Sequence, residues 1–113
     1  IGVSVNPERY AYKAVRSLLQ HDKQVAAVGL KTGEIETVTI QIGKPHFENV
    51  DTVTLYVGPQ NQPEWYDYII SLKPKRIIFN PGTENPEFEK RCSEKGIEVV
   101  EACTLVMLSI GNY

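Results

Sequence analysis

A stretch that could bind a ligand begins at the second position, with the sequence GVSVNPER. Gly2 permits a tight turn, and Ser4 offers a hydroxyl and an N–H group. Asn6-Pro7 is typical of a helix start, because asparagine caps well and proline is tolerated at the first helical position. Such a loop presents unpaired N–H groups, so the stretch from Gly2 through Val5 to Arg9 predicts a cradle for an anion such as phosphate. It has one glycine where the dinucleotide fingerprint has three.

The second group of interest is Val28-Gly29-Leu30-Lys31, at the end of the next predicted strand. Domains that bind NAD usually end this strand with Asp or Glu, which holds the ribose hydroxyls. No acid is present here, and Lys31 would attract a phosphorylated ribose that a carboxylate would repel. Gly29, Leu30 and Lys31 therefore predict a site for an adenosine with an extra phosphate, a description that NADP and coenzyme A both meet.

No set of residues has the spacing of a catalytic or metal centre. The two cysteines form no CxxC pair, and no serine, histidine and aspartate are spaced as a triad. An acidic stretch fits stabilisation of a helix start better than acid–base catalysis; its members are Glu84, Glu87 and Glu89. The sequence predicts no catalytic residue and no metal ligand.

Strand and helix patterns alternate along the chain and carry these residues. Buried or alternating apolar runs predict strands near residues 24–30, 36–43, 51–58, 75–80 and 97–102, and amphipathic stretches between them predict helices. This order predicts an α/β fold, a Rossmann-like open parallel sheet of about five strands with helices on both faces. We expect a single domain over residues 1–113, with its first strand beginning before residue 1.

In such sheets, ligands bind beyond the carboxyl ends of the strands. The loops predicted at that edge are rich in glycine, proline and asparagine: Gly2–Pro7, Gly29–Gly33, Gly58–Pro63, Asn80–Pro86 and Glu101–Thr104. Their common edge predicts one site.

Composition and charge argue against nucleic-acid and membrane partners. The 113 residues are 42% hydrophobic and 23% charged, as in an ordinary globular domain, and the net charge of -2 predicts no nucleic-acid partner. No apolar run reaches the length of a membrane span, so no membrane partner is expected. Two unpaired cysteines are typical of a reducing cytoplasm.

The motifs G-x-S-x-N-P-x-R, VGLKTGEI, TLYVGPQNQ and IIFNPGTENPEF resemble the small stand-alone CoA-binding proteins. These are similar to the CoA-binding domain of the succinyl-CoA synthetase alpha subunit, and the match runs from Gly2 to about Met107. The resemblance implies that the first loop, with Gly2, Ser4, Asn6 and Pro7, meets the CoA phosphates and that Lys31 meets the phosphorylated adenosine. It implies that the second half contributes residues beside the adenine and the pantetheine arm: Tyr56, Val57, Gly58, Pro59, Asn80, Pro81 and Gly82. The catalytic histidine of the ligases lies in another domain.

Three functions are compatible with these patterns. The first is non-catalytic binding of coenzyme A or an acyl-CoA. The alternative is an NADP-dependent reductase or small transferase that uses the same nucleotide site. The third is an interaction protein, with a possible homodimer formed through an exposed strand or the apolar TLVML tail.

Overall fold

Strands and helices alternate along the chain in a mixed α/β fold with parallel strand pairs. The computed structural model describes residues 1–113. Its helices are α1 (Tyr10–Gln20), α2 (Tyr66–Ser71), α3 (Pro86–Glu94) and α4 (Thr104–Ser109). Its strands are β1 (Ala27–Val28), β2 (Gly33–Ile35), β3 (Val38–Gln41), β4 (Thr52–Leu55), β5 (Arg76–Phe79) and β6 (Glu98–Glu101). The chain divides into two compact units, of which the first comprises Ile1–Pro45 with Thr104–Tyr113 and the second His46–Cys103.

The first unit contains a three-stranded sheet in the order β1-β3-β2. β1 and β3 are parallel, and Val3 adds a parallel bridge to Gly29. Helix α1 buries the apolar stripe that its sequence predicts: Ala11, Ala14, Val15 and Leu18. It also packs on α4, which forms part of this unit.

The predicted parallel sheet of about five strands needs correction, because each of the two sheets has three strands. One pairing, between β2 and β3, is antiparallel. Ile35 pairs with Val38, which leaves a two-residue turn of Glu36 and Thr37. Glu36 has a φ of 55°, the left-handed conformation that two-residue hairpin turns require. Neither turn residue is a glycine or an asparagine, so the usual hairpin signal is absent from the sequence.

The predicted helix start at Asn6-Pro7 is also wrong, because α1 begins at Tyr10. The Asn6 side chain accepts a hydrogen bond from the Glu8 N–H at 3.0 Å, and the Arg9 N–H donates to the Asn6 carbonyl at 3.0 Å. Asn6 therefore closes a turn of its own instead of capping the helix.

The second unit contains β4, β5 and β6 in that order, all parallel. Its core includes Phe88 of α3, which stacks on Tyr66 with ring centroids 4.3 Å apart. The stretch between β4 and β5, which the sequence predicts to be helical, instead forms two 3₁₀ turns, Pro59–Asn61 and Pro63–Trp65, followed by α2. Pro63 lacks an N–H group, so it begins a new turn and cannot continue the first. No helix has the length and apolar character that crossing a membrane would require.

Candidate functional site

In the first unit, the loop after Val3 and the loop after β1 leave the sheet at the same edge. The Gly2 N–H and the Val3 N–H both donate to the Val28 carbonyl, at 2.9 and 3.2 Å. Because Val3 bridges Gly29 in parallel, both chains continue in the same direction beyond the bridge. The structure therefore brings the predicted first loop, from Ser4 onward, beside the loop that carries Lys31.

Gly29 is required at this junction because the backbones approach closely. A Cβ atom at Gly29 would overlap the Val3 carbonyl oxygen and would lie 3.1 Å from Ile40 Cγ2. The next contact along the same edge joins Val5 and Gly33, since a Cβ at Gly33 would overlap the Val5 side chain. The two chain segments are therefore in contact at two places, where Val3 meets Gly29 and where Val5 meets Gly33.

The start of α1 offers hydrogen-bond donors at the end of the first loop. No side chain caps this helix, and its first turn contains no acidic residue. The Lys13 N–H donates to the Arg9 carbonyl at 3.2 Å. The N–H groups of α1 that precede Lys13 have no helical carbonyl one turn earlier to accept their hydrogen bonds. The Ser4 Oγ accepts from the Asn6 N–H at 3.3 Å and keeps its own proton to donate. These donors and the positive end of the helix dipole favour an anion here.

Three exposed apolar side chains follow the strands at this edge. Leu30 is 89% exposed, Ile42 56% and Val5 52%. Leu30 and Ile42 lie beyond the adjacent strands β1 and β3, and Val5 lies against Gly33. Lys31 is exposed beside Leu30. Amide donors, an ammonium group and apolar side chains at one edge are the combination that suits a phosphorylated nucleotide.

In the second unit, the Tyr56–Pro59 loop and the Asn80–Gly82 loop follow neighbouring strands, because Leu55 pairs with Phe79. Tyr56 through Pro59 are half-buried, whereas Pro81 and Gly82 are exposed. The Asn80 side chain is buried, and its Nδ2 donates to the Thr54 hydroxyl at 2.8 Å and to the Leu55 carbonyl at 2.9 Å. Asn80 therefore ties the ends of β4 and β5 together.

A buried glutamine that the sequence does not single out joins the same two loops. Gln62 Nε2 donates to the Val57 carbonyl at 2.8 Å and to the Thr83 carbonyl at 2.7 Å. Its Oε1 accepts from Asn85 Nδ2 at 2.9 Å. In the sequence Gln62 has neighbours of the same kind, the exposed Gln60 and Asn61, so no pattern distinguishes it.

Burial favours the neutral forms of two titratable groups in the second unit, Cys92 and Glu89. Burial raises the pKa of the Cys92 thiol to about 11, and the Glu89 carboxylate adds to the shift. Burial also raises the pKa of Glu89, and the carboxylates of Glu101 and Glu84 raise it further, while a hydrogen bond from the Asn85 N–H at 2.9 Å lowers it. Cys92 therefore keeps its proton at neutral pH, and Cys103 is a half-buried free thiol. No group of three His, Cys, Asp or Glu side chains is arranged to hold a metal ion.

Comparison with known proteins finds a family model and several solved structures that match this chain. The model of the CoA binding domain matches residues 1–109. An uncharacterized protein of known crystal structure is 54% identical, with a TM-score of 0.96 over 99% of this chain and 93% of that one. A hypothetical protein from Pyrococcus horikoshii OT3 is 26% identical, with a TM-score of 0.82 over 96% of this chain and 78% of that one.

A third structure, cell-free ID.343 from Thermus thermophilus, is 24% identical and shares the fold, with a TM-score of 0.86 over 100% of this chain and 87% of that one. The comparison with curated proteins finds no match. The family model covers almost all of the 113 residues, so its match does not depend on one short motif. The resemblance seen in the sequence is confirmed, and the chain belongs to the CoA-binding domain family.

Proposed function

We propose that this chain binds coenzyme A, or an acyl-CoA, and catalyses no reaction on it. The observation that carries the proposal is the meeting of two loops at one edge of the first unit. One loop leads from Gly2 to the uncapped start of α1, and the other carries Lys31. Membership of the CoA-binding domain family supports the same ligand class. The proposal takes the fold to be Rossmann-like, with three strands in each of the two sheets.

The first unit supplies contacts of three kinds for the nucleotide half. The Gly2–Pro7 loop and the first amides of α1 would hold the diphosphate. Arg9, which directly precedes α1, would contribute its positive charge. Lys31 would pair with the phosphate on the adenosine ribose. Exposed Leu30 would cover one face of the adenine, since its side chain is otherwise left in water.

The second unit is proposed to contact the pantetheine arm. The resemblance implies that the Tyr56–Pro59 loop lies beside the adenine and the pantetheine, and that Asn80, Pro81 and Gly82 lie near the pantetheine arm. The adjacency of the two loops, which follow paired strands, supports this assignment. These contacts bind and orient a flexible chain, and none of them transfers a proton or a group, so the proposal includes no catalytic step.

Calorimetry with coenzyme A, NADP and NAD tests the proposal. Coenzyme A is expected to bind and NAD is not, because Lys31 occupies the region where NAD-binding domains place an acid. Binding of NAD without binding of coenzyme A would overturn the proposal. Tighter binding of NADP than of coenzyme A would favour the reductase alternative.

Lys31→Ala gives a sharper test when it is combined with dephospho-CoA, which lacks the ribose phosphate. Loss of an exposed ammonium group facing a phosphate is expected to weaken coenzyme A binding about fivefold at low salt. Dephospho-CoA should bind both proteins equally. Lys90→Ala, which removes an exposed lysine of α3, is the matched control and should change neither affinity. An equal loss for both ligands would show that Lys31 does not meet that phosphate.

Homodimer formation stays a separate prediction. Light scattering at micromolar concentration checks it, and a monomer would refute it.

A further inference from the structure

We infer that Gln62 is a positioning residue that fixes the separation of the Tyr56–Pro59 loop and the Asn80–Gly82 loop. The inference rests on the proposed function for the identity of the ligand, since these are the loops assigned to the pantetheine arm. Its geometric part concerns the second unit alone.

One amide nitrogen connects the two loops. Gln62 Nε2 has two protons; one goes to the carbonyl of Val57 at 2.8 Å and the other to the carbonyl of Thr83 at 2.7 Å. Val57 is the second residue of the Tyr56–Pro59 loop, and Thr83 directly follows Gly82. Any movement that separates the loops must therefore break one of these two bonds.

The orientation of the Gln62 amide is fixed from its other end. Its Oε1 accepts from Asn85 Nδ2 at 2.9 Å, and the same nitrogen donates to the Tyr66 hydroxyl at 2.8 Å. Asn85 is itself held as the N-cap of α3, where its Oδ1 accepts from the Phe88 N–H at 3.2 Å. A rotated Gln62 amide would set its NH₂ group against the Asn85 NH₂ and its oxygen against two carbonyls, so a single orientation satisfies every partner.

Gln62 acts through the loops and does not touch a ligand itself. Its exposure is 0%, and the 3₁₀ turn Pro59–Asn61 carries its backbone inward, with the Gln62 N–H donating to the Pro59 carbonyl at 3.2 Å. Asn80 fixes the strand ends below the loops through Leu55. Gln62 adds a second connection, beyond the strand ends, between the two loops. With both connections in place, the separation of the loops is fixed.

Gln62→Met is the most direct perturbation, because methionine has a similar length and bulk but no N–H donors. The Val57 and Thr83 carbonyls then lose their shared partner. If the loops hold the binding arrangement for about one tenth of the time, the apparent Kd for coenzyme A rises about tenfold. Adenosine 3′,5′-bisphosphate, which lacks the pantetheine arm, is expected to lose much less affinity for the variant than coenzyme A does.

The experiment compares both ligands by calorimetry on three variants. Val53→Ala removes buried volume from β4 and controls for general destabilisation. Tyr66→Phe removes one outer hydrogen bond of the network and leaves the three bonds of Gln62. Selective loss of coenzyme A binding in Gln62→Met, and in neither control, supports the inference. Equal loss for both ligands, or no loss for either, overturns it.

Amide hydrogen exchange on the ligand-free protein separates this inference from the proposed function. The N–H groups of Asn61 and Thr83, which close the turns to Gly58 and Asn80, should exchange faster in Gln62→Met, while those of β5 should not change. Unchanged exchange at both turns would overturn the inference, whether or not the wild type binds coenzyme A. If Gln62→Met does not fold, Gln62→Leu, which also lacks the two N–H donors, takes its place, and unchanged exchange at both turns in that variant would overturn the inference.

Discussion

Replacement of Gly29 by alanine tests whether the close approach of Val3 and β1 holds the first unit together. The added methyl would overlap the Val3 carbonyl oxygen and lie 3.1 Å from Ile40 Cγ2. The overlapping atom belongs to the backbone, so a side-chain rotation cannot relieve it. The bridge between Val3 and Gly29 must therefore widen, and the hydrogen bonds around it must lengthen.

The expected loss follows from those contacts. Forcing an extra carbon into a packed site costs about 1–3 kcal/mol. The bonds at risk are Gly2 N–H to Val28 O at 2.9 Å, Val3 N–H to Val28 O at 3.2 Å and Gly29 N–H to Gln41 O at 2.9 Å. Each contributes about 1 kcal/mol, so a total loss of about 3 kcal/mol in the free energy of unfolding is expected. For a chain of this size, the Tm should fall by roughly 10 °C.

Urea unfolding and thermal melting, both followed by circular dichroism, measure this loss. Gly58→Ala is the matched control, because it adds the same methyl at a φ of -62° where only the flexible Gln60 side chain lies close, at 3.1 Å. Its stability should stay within about 1 kcal/mol of the wild type. If Gly29→Ala is as stable as Gly58→Ala, the backbones of Val3 and Gly29 do not approach as closely as described.

Two further predictions concern the second unit. Gly58→Ala should weaken coenzyme A binding about tenfold if the pantetheine arm passes against that backbone, because the methyl would fill the space that the arm needs; calorimetry measures this, and an unchanged Kd would remove Gly58 from the proposed contacts. The free energy of unfolding should fall between pH 9 and pH 11, because the unfolded Cys92 thiol loses its proton near the ordinary pKa of 9.0 while the folded thiol keeps it up to a pKa of about 11. Urea titrations should show a decrease about 2 kcal/mol larger in the wild type than in Cys92→Ala, and equal pH dependence in the two proteins would contradict the burial of this thiol.

The sequence predicts well where strands and helices occur and which loops follow the strands. The α1 stripe and the Asn85 cap of α3 follow from local patterns, namely helical spacing and the Asn-Pro signal. The meeting of the first loop with the Lys31 loop follows from the rule that parallel strands end at one edge. The adjacency of these two loops could therefore be predicted from sequence alone.

The remaining features depend on contacts between residues far apart in the chain. The β2–β3 hairpin turns at Glu36, a residue type that rarely takes a positive φ, so no local signal marks it. Asn6 has the same identity as Asn85 and precedes proline in the same way, yet it closes a turn while Asn85 caps a helix. Gln62 acquires its role only because Thr83 and Asn85, 21 and 23 residues away, fold onto it.

The bare start of α1 has a consequence for engineering this protein. A serine or aspartate in place of Arg9 would cap the helix and raise the stability of the ligand-free chain by about 1 kcal/mol. The same side chain would accept hydrogen bonds from the amides that are proposed to bind the diphosphate. An aspartate would also repel the diphosphate. At this position, thermostability and affinity are therefore in direct competition, and a screen that selects for heat resistance alone would remove binding.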